Sequence, residues 1–322
     1  MRTSLSGKKK IVITLGEPSG IGPEVTVKAL ASPKVKGLAD FFVVGDKTAL
    51  VSAERAAGTS LKCRFIDAGN AAPDRFVYGR SDAVSGRAAI RYIDKAVAMI
   101  GAGYADTLVT APVNKASVRM AGYKNFEGHK EYLAEVTRSK EVAMMFIGSR
   151  MKITLVTRHI PLKDVSARIS TDSIFRSILI TNRYLKEYFG IARPRIAVAG
   201  LNPHAGEAGA FGKEEKRIIL PAVRKAAARS IRVDGPYPPD IIFNGLLEGK
   251  SDAVVAMYHD QALIPFKLLY FRDGVNLTVG LPFVRTSPDH GTAFDIAGKG
   301  VSDPGSMIEA IKLACNISGR KI

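Results

Sequence analysis

The sequence predicts an α/β protein with two lobes, built on mostly parallel sheets with flanking helices. Short runs rich in β-branched and aromatic residues alternate with segments of helical periodicity along much of the chain. Strands that alternate with helices are joined by right-handed crossovers, which leave the strands parallel. With 322 residues, 46% of them hydrophobic, the chain can form two lobes or one large domain.

The strand and helix patterns follow one another in order. The strand-like IVITLG and DFFVVG precede the helical PEVTVKALAS and TALVSAERAA, whereas ADTLVTAP precedes a polar loop. Next, MKITLVTRHI precedes the helical SIFRSILITNRYLKEYF, and three more strand-like runs follow: PRIAVAGL, IIFNG and DAVVAMY. Because ligands bind beyond the carboxyl ends of parallel strands, we expect the polar loops after these strands to converge on one crevice.

The charge of the chain raises the question of a nucleic-acid partner. Lys and Arg number 47 against 30 Asp and Glu, which gives a net charge of +17. Apart from residues 8–10, the basic residues are dispersed, they are not interleaved with aromatic residues, and there is no Trp. The pattern therefore argues against nucleic acid and allows a field that attracts small anions.

No segment of the sequence predicts a membrane partner or export. There is no apolar stretch of about 20 residues, and the opening MRTSLSGKKK lacks the apolar core of a secretory signal. The two cysteines, Cys63 and Cys315, are far apart and lack metal-binding spacing, as is typical of a reducing compartment. We expect a cytoplasmic protein.

The histidines are few, and three of them follow strands directly. They are His159 in LVTRHIPL, His204 in GLNPHAGE and His259 in AMYHDQ; the other two are His129 and His290. Their spacing is too long for a local zinc finger and suits a site assembled from different strands. One such histidine is more often an ordinary polar residue, but three neutral imidazoles bind Zn²⁺ well and leave a position open for substrate.

The glycine-rich segment TLGEPSGIGPEV lies between a strand and a helix. It lacks both the Lys-Ser/Thr of a P-loop and the G-x-G-x-x-G spacing of a dinucleotide fingerprint. Backbone amides at the start of the helix could face an anion. The alternative is a tight strand-to-helix turn without a ligand.

Several motifs in order carry a family resemblance over nearly the whole chain. GIGPEV and HGTAFDIAGKG together resemble the isocitrate and isopropylmalate dehydrogenase fold, in which the second loop holds the adenosine end of the nicotinamide cofactor. A closer resemblance is to the 4-hydroxythreonine-4-phosphate dehydrogenase family of pyridoxal phosphate biosynthesis. Its motifs are GEPSGIGPE, TAPVNKA, GHKEYLA, RHIPL, LNPHAGEAGAFGKEE, DGPYPPD, YHDQALIPFK and LPFVRTSPDHGTAFDIAGKG.

The resemblance assigns roles to individual residues. It implies that the metal ligands are His159, His204 and His259. It implies that substrate is bound by Lys267, Asn276, Arg285 and His129, with His129 and Asp240 near the chemistry, and that the cofactor loop includes Gly291, Thr292 and Asp295. Without the resemblance, Lys267 and Arg285 would be ordinary ion-pair residues and Asp240 a helix cap.

One position departs from the family pattern. Family members typically have Thr after the histidine of this motif (GHTE), where this sequence has Lys130 after His129. A cation there could contact substrate phosphate or carboxylate, or its bulk could narrow the pocket. We count Lys130 among the substrate-binding residues. The departure leaves room for a paralogue that oxidises threonate or erythronate 4-phosphate.

The implied activity is metal-dependent, NAD(P)-linked oxidation of 4-phosphooxy-L-threonine at C3, followed by decarboxylation to 3-amino-2-oxopropyl phosphate. The resemblance implies NAD or NADP, one divalent ion per site (Zn, Mg or Co), and a homodimer whose active sites are shared. The expected lobes are a nucleotide-binding lobe, 1–120 with 272–322, and a substrate and dimerisation lobe, 121–271, with a cleft between them. A basic binding protein without catalysis is the alternative of a different class, and the histidines and Asp240 in their motifs argue against it.

Overall fold

The computed structural model describes residues 8–69 and 76–319. The first seven residues of the opening segment, where the sequence predicts no secretory signal, lie outside the described residues. The chain divides into two compact units: a first unit of 8–140 with 281–319, and a second unit of 141–280. The predicted lobes have the same discontinuous arrangement, but their boundaries fall earlier in the chain than those of the two units.

The described residues form strands and helices that alternate through most of the chain. The strands are β1 (Lys10–Thr14), β2 (Asp40–Gly45), β3 (Arg64–Asp67), β4 (Thr107–Thr110), β5 (Ala143–Ile147), β6 (Lys152–Leu155), β7 (Ile196–Ala199), β8 (Val233–Tyr237), β9 (Ala253–Ala256), β10 (Val275–Val279) and β11 (Val284–Pro288). The helices are α1 (Gly22–Ala31), α2 (Lys47–Ala57), α3 (Ala83–Gly101), α4 (Lys115–Met120), α5 (His129–Val136), α6 (Val165–Arg168), α7 (Thr171–Glu187), α8 (Leu220–Ala227), α9 (Pro239–Leu247), α10 (His259–Tyr270) and α11 (Gly305–Ile317). Among the described residues, no helix is both long and apolar enough to span a bilayer.

The strands of the first unit are all parallel. Their order is β3-β2-β1-β4-β11, and every neighbouring pair is parallel. Ile11, Val12 and Ile13 of β1 are completely buried, as continuous apolar strands are when both faces of a parallel sheet are covered. Helix α3 packs on β1, β2 and β4, and α11 packs on β4 and β11.

The strands of the second unit are mixed but mostly parallel. Their order is β10-β5-β6-β9-β7-β8; the pairs of β5 with β10 and with β6 are antiparallel, and the other pairs are parallel. Helices α7 and α10 pack against β6 and β9, and α9 packs against β7 and β9. Phe266 of α10 is completely buried and lies 5.7 Å, between ring centroids, from Phe146 of β5. The predicted α/β class with mostly parallel strands is confirmed.

One predicted strand is wrong. The run IIFNG lies inside α9, which begins at Pro239. Ile242, Phe243 and Leu246 are buried while Ile241 is exposed, a pattern with helical period that five residues are too few to show. Two consecutive prolines, Pro238 and Pro239, precede this run and favour a helix start. The polar segment after β4, predicted as a loop, contains the short helix α4, whose start is capped by Asn114.

Candidate active site

Two of the predicted metal ligands lie side by side in the second unit. His159 follows β6, and His259 is the first residue of α10, directly after β9. Because β6 and β9 are parallel neighbours, their carboxyl ends lie together. The chain segments beyond them stay joined, since Thr157 donates to the Met257 carbonyl from its backbone N–H at 3.1 Å and from its hydroxyl at 2.7 Å. The two imidazole centroids are 5.7 Å apart.

The carboxylate of Asp260 contacts one ring nitrogen of His259. The Nδ1 atom of His259 lies 2.6 Å from Oδ1 of Asp260. This contact leaves Nε2 as the nitrogen that can face a ligand, which is the usual arrangement of a carboxylate behind a metal-binding histidine. Metal–nitrogen bonds of about 2.0–2.1 Å allow two rings at this separation to share one ion. The donor set therefore fits a divalent metal.

The third predicted ligand, His204, lies on a different loop. It follows β7 in a turn where five consecutive residues, 204–208, have positive φ between 38° and 79°. Such left-handed backbone costs about 1–2 kcal/mol for each residue other than glycine. The imidazole is exposed, and its ring centroid is 6.1 Å from that of Phe211. Within the part of the chain that the structure describes, no three His, Cys, Asp or Glu side chains form a metal-binding group.

The remaining predicted residues of the second unit lie on α9, α10 and β10. Asp240 is exposed in the first turn of α9. The Nζ atom of Lys267 lies 5.7 Å from the ring centroid of Phe271. The side-chain oxygen of Asn276 is buried and accepts no hydrogen bond among the described residues. A buried amide oxygen without a partner is uncommon and indicates a place for a donor from a ligand or water.

The first unit contains a buried cationic cluster. Arg285 of β11 is 2% exposed, and its Nε and Nη2 donate to the hydroxyl of Thr110 at 3.2 and 2.5 Å. Burial lowers the pKa of Arg285 to about 9, an effect that the carboxylate of Glu131 opposes. Arg285 therefore remains cationic at neutral pH. Lys130 is 6% exposed, and its Nζ lies 2.8 Å from Oε1 of Glu131.

His129 is the neutral member of this cluster. Burial lowers its pKa well below 6.5, and the positive charge of Arg285 lowers it further. Its Nε2 is buried and has no hydrogen-bond partner among the described residues. A neutral imidazole with a free ring nitrogen beside a buried arginine can accept a proton or hydrogen-bond an anionic substrate.

The predicted cofactor loop packs against the glycine-rich turn after β1. The carbonyl oxygen of Thr292 accepts a hydrogen bond from the N–H of Ile21 at 3.0 Å. A Cβ on Gly20 would lie 2.9 Å from the Thr292 carbonyl oxygen, so this close approach requires glycine. Gly291 and Asp295 are exposed on the same loop. These backbone contacts are those of a tight strand-to-helix turn, and the binding of an anion at this segment stays a prediction.

Sequence reasoning missed the residues that hold these loops in place. Glu24 accepts hydrogen bonds from the N–H groups of Gly300 and Ser302 at 3.2 and 2.9 Å, and Lys28 donates to their carbonyl oxygens. Glu17, in GEPSG, is completely buried; burial raises its pKa, although hydrogen bonds from three neighbours lower it. A carboxylate inside an apolar or glycine-rich motif is the sequence signal that could have identified Glu17 and Glu24. A buried charge needs specific partners, so such a carboxylate indicates a residue that holds its neighbours in place.

The second unit also contains a partly open pocket. A cavity of about 630 Å³ lies between β8 and α9, lined by Arg195, Arg232, Tyr237 and their neighbours. None of the predicted site residues lines it.

Comparison with known proteins gives the family. Residues 37–314 match the family described as "Pyridoxal phosphate biosynthetic protein PdxA". A protein of Desulforapulum autotrophicum named 4-hydroxythreonine-4-phosphate dehydrogenase is 45% identical over 322 aligned residues, covering 94% of each chain. One of Cupriavidus necator named D-threonate 4-phosphate dehydrogenase is 43% identical, covering 97% of this chain and 98% of the relative. The crystal structure of a 4-hydroxythreonine-4-phosphate dehydrogenase from Klebsiella pneumoniae aligns with a TM-score of 0.87 at 40% identity, covering 98% of this chain and 99% of that one. The chain belongs to the PdxA family of pyridoxal phosphate biosynthetic proteins.

Proposed function

We propose that this protein is a metal-dependent, NAD- or NADP-linked dehydrogenase that oxidises 4-phosphooxy-L-threonine at C3 and decarboxylates the product to 3-amino-2-oxopropyl phosphate, in pyridoxine 5′-phosphate biosynthesis. The observation that carries the proposal is the pair of imidazoles, His159 and His259, at the ends of adjacent parallel strands. Family membership supports the reaction class, because relatives at 42–45% identity are named 4-hydroxythreonine-4-phosphate dehydrogenase. A cytoplasmic location stays a prediction from the sequence.

The residues of the chain have separate tasks in this reaction. His159 and His259 would hold a divalent ion such as Zn, Mg or Co, with Asp260 fixing the ring of His259. The ion would supply Lewis acidity at the substrate hydroxyl, and the nicotinamide would accept the hydride. Lys267 and Asn276 would contact substrate, and the buried, partnerless oxygen of Asn276 supports that role.

The cationic cluster of the first unit suits an anionic substrate group. Arg285 is held by Thr110 in a buried position, where a guanidinium binds phosphate or carboxylate more strongly than at the surface. His129 stays neutral beside it and can accept a proton through Nε2. Asp240, at the exposed start of α9, is the second proposed catalytic group. Gly291, Thr292 and Asp295 would contact the cofactor.

A homodimer with shared sites accounts for the position of His204. Among the described residues of one chain, His159 and His259 lie together and no group of three metal-binding side chains forms. We therefore propose that the third imidazole is His204 of the partner subunit. Helix α10, which begins with His259, exposes an apolar stripe at Ile264, Leu268 and Phe271, with Leu268 81% exposed. An exposed apolar stripe beside a metal ligand is typical of a surface that a second subunit covers.

A second candidate substrate is favoured by Lys130. This side chain is buried and paired with Glu131, at a position where the usual family residue, Thr, is uncharged. A buried positive charge disfavours the ammonium group that 4-phosphooxy-L-threonine carries at C2. D-threonate 4-phosphate has a hydroxyl there and avoids the repulsion. The relative from Cupriavidus necator carries that name.

The shared metal site predicts which inactive variants complement one another. Mixtures of His204→Ala with His159→Ala, and of His204→Ala with His259→Ala, should regain about a quarter of wild-type activity, because about half of the dimers are mixed and each restores one of two sites. The mixture of His159→Ala with His259→Ala should stay inactive, since both of its sites are damaged. Activity is measured as NADH formation after co-expression. Recovery in no mixture, although heterodimers form, would show that each site belongs to one chain.

Lys130 is tested by comparing two substrates. Lys130→Thr and Lys130→Met should each lower kcat/KM for D-threonate 4-phosphate relative to 4-phosphooxy-L-threonine by roughly tenfold, which is the effect of removing one charge contact. Met keeps the length of Lys, so agreement of the two variants assigns the effect to charge. If only Lys130→Thr changes the ratio, bulk is responsible. If neither variant changes it, Lys130 does not select the substrate.

The depressed pKa of His129 predicts a pH dependence of stability. The folded protein keeps this imidazole neutral, whereas the unfolded chain binds a proton near pH 6.5. The stability contribution is therefore complete above 6.5 and is lost as the pH falls below it towards the lower folded pKa. Between about pH 7 and about pH 5, wild type should lose up to about 2 kcal/mol more unfolding free energy than His129→Gln. Urea denaturation at fixed protein concentration measures this; parallel losses would contradict it.

A further inference from the structure

The turn that carries His204 has a backbone that its own residues do not favour. Four of its five left-handed residues, His204, Ala205, Glu207 and Ala208, have a Cβ. Residues other than glycine enter the left-handed region singly and seldom in succession. The turn therefore depends on contacts from outside itself. Backbone strain of this kind persists where the surroundings fix it, commonly at functional sites.

The buried carboxylate of Glu215 accepts hydrogen bonds from the residues that lead into this turn. Oε1 of Glu215 accepts hydrogen bonds from the backbone N–H groups of Leu201 and Asn202, both at 2.8 Å. Oε2 of Glu215 accepts a third from the side-chain amide of Asn202 at 3.0 Å. Glu215 is 5% exposed, so these charge-assisted bonds form away from water, where they are strong.

The space beside the Glu215 carboxylate leaves no room for a side chain at residue 206. A Cβ on Gly206, in the middle of the turn, would lie 2.5 Å from Oε2 of Glu215. Glu215 itself begins a π-helical turn, Glu215–Ile219, that leads into α8. The π-helical turn is a rare backbone form that occurs often at functional sites. The adjacent Glu214 accepts hydrogen bonds from the hydroxyl of Ser166 at 2.6 Å and from the side-chain amide of Asn202, which it shares with Glu215, at 2.9 Å.

We propose that Glu215 is a positioning residue that holds the left-handed turn in the shape that presents His204 to the metal. The inference rests on the proposed function, in which His204 is a ligand. Glu215 acts through the backbone of residues 201 and 202 and touches neither substrate nor metal. Metal coordination tolerates errors of only about 0.2 Å in ligand distance, so relaxation of the turn would displace the imidazole from bonding range.

The direct test is metal binding by Glu215→Gln. Gln keeps the size of the side chain, but it removes the negative charge and replaces one of the two accepting oxygens with an NH₂ group, which donates. Co²⁺ and Zn²⁺ are titrated into metal-free dimeric protein, with calorimetry and the visible absorption of Co²⁺ as readouts. Affinity should fall roughly ten- to a hundredfold, as it does when residues supporting a metal ligand are changed. Circular dichroism and dimer mass should stay at wild-type values.

Glu207→Gln is the matched control. Glu207 is an exposed member of the same turn, so its replacement removes the same charge near His204 without touching the acceptor at residue 215. Metal affinity of Glu207→Gln near the wild-type value, together with the loss in Glu215→Gln, supports the proposal. Equal losses in both variants would assign the effect to net charge and overturn it.

His204→Ala separates failure of this inference from failure of the proposed function. If His204→Ala binds metal like wild type, His204 is not a ligand and the proposed metal site is wrong. If His204→Ala loses metal while Glu215→Gln binds it like wild type, the metal site stands and the positioning role of Glu215 is overturned.

If Glu215→Gln does not fold, a second variant tests the positioning role of Glu215. Gly206→Ala puts a methyl group against the Glu215 carboxylate at a residue with φ of 79°. Its matched control is Gly249→Ala, because Gly249 has φ of 74° and no atom near its missing Cβ. Weaker metal binding in Gly206→Ala than in Gly249→Ala supports the proposal, and equal binding contradicts it.

Discussion

The candidate metal site depends on the parallel pairing of β6 and β9. This pairing aligns Ile153 with Val254 and Leu155 with Ala256, so both strands end at the same level of the sheet. The hydrogen bonds from Thr157 to Met257 continue the pairing past the strands. His159 and His259 are brought together by backbone geometry, although a hundred residues separate them in sequence. Buried apolar strands fix this geometry, because a slip of one residue would turn the core-facing side chains to the opposite face.

The two units differ in how deeply their predicted site residues are buried. In the second unit, the imidazoles of His159 and His204 are exposed. Asp260 contacts Nδ1 of His259, and Glu215 accepts hydrogen bonds from the backbone that leads into the His204 turn. In the first unit, Arg285 is buried, and desolvation lowers both its pKa and that of His129. Burying a cation is costly without partners, so the Thr110 and Glu131 contacts matter for stability as well as for binding. Such a cluster keeps a neutral base beside a positive charge at neutral pH.

The sequence predicts the fold class well because parallel strands in a covered sheet are continuous apolar runs. IVITLG, DFFVVG and DAVVAMY all contain observed strands. IIFNG failed because a five-residue apolar run fits a buried helix equally well. That His159, His204 and His259 are metal ligands stays a prediction from the resemblance, and no sequence pattern indicated that His159 and His259 would lie together without His204. Nor did it indicate the left-handed turn, since Ala205 and Ala208 disfavour that backbone.

In the proposed metal site, one ion is bound by His159 and His259 of one subunit and by His204 of the partner subunit. Anomalous diffraction at the zinc edge, from crystals of the zinc-loaded protein, tests it most directly. We expect one strong anomalous peak per site. The peak should lie about 2.0–2.1 Å from imidazole nitrogens that belong to both subunits. A peak bonded to three histidines of one subunit, or to none of these three residues, would contradict it.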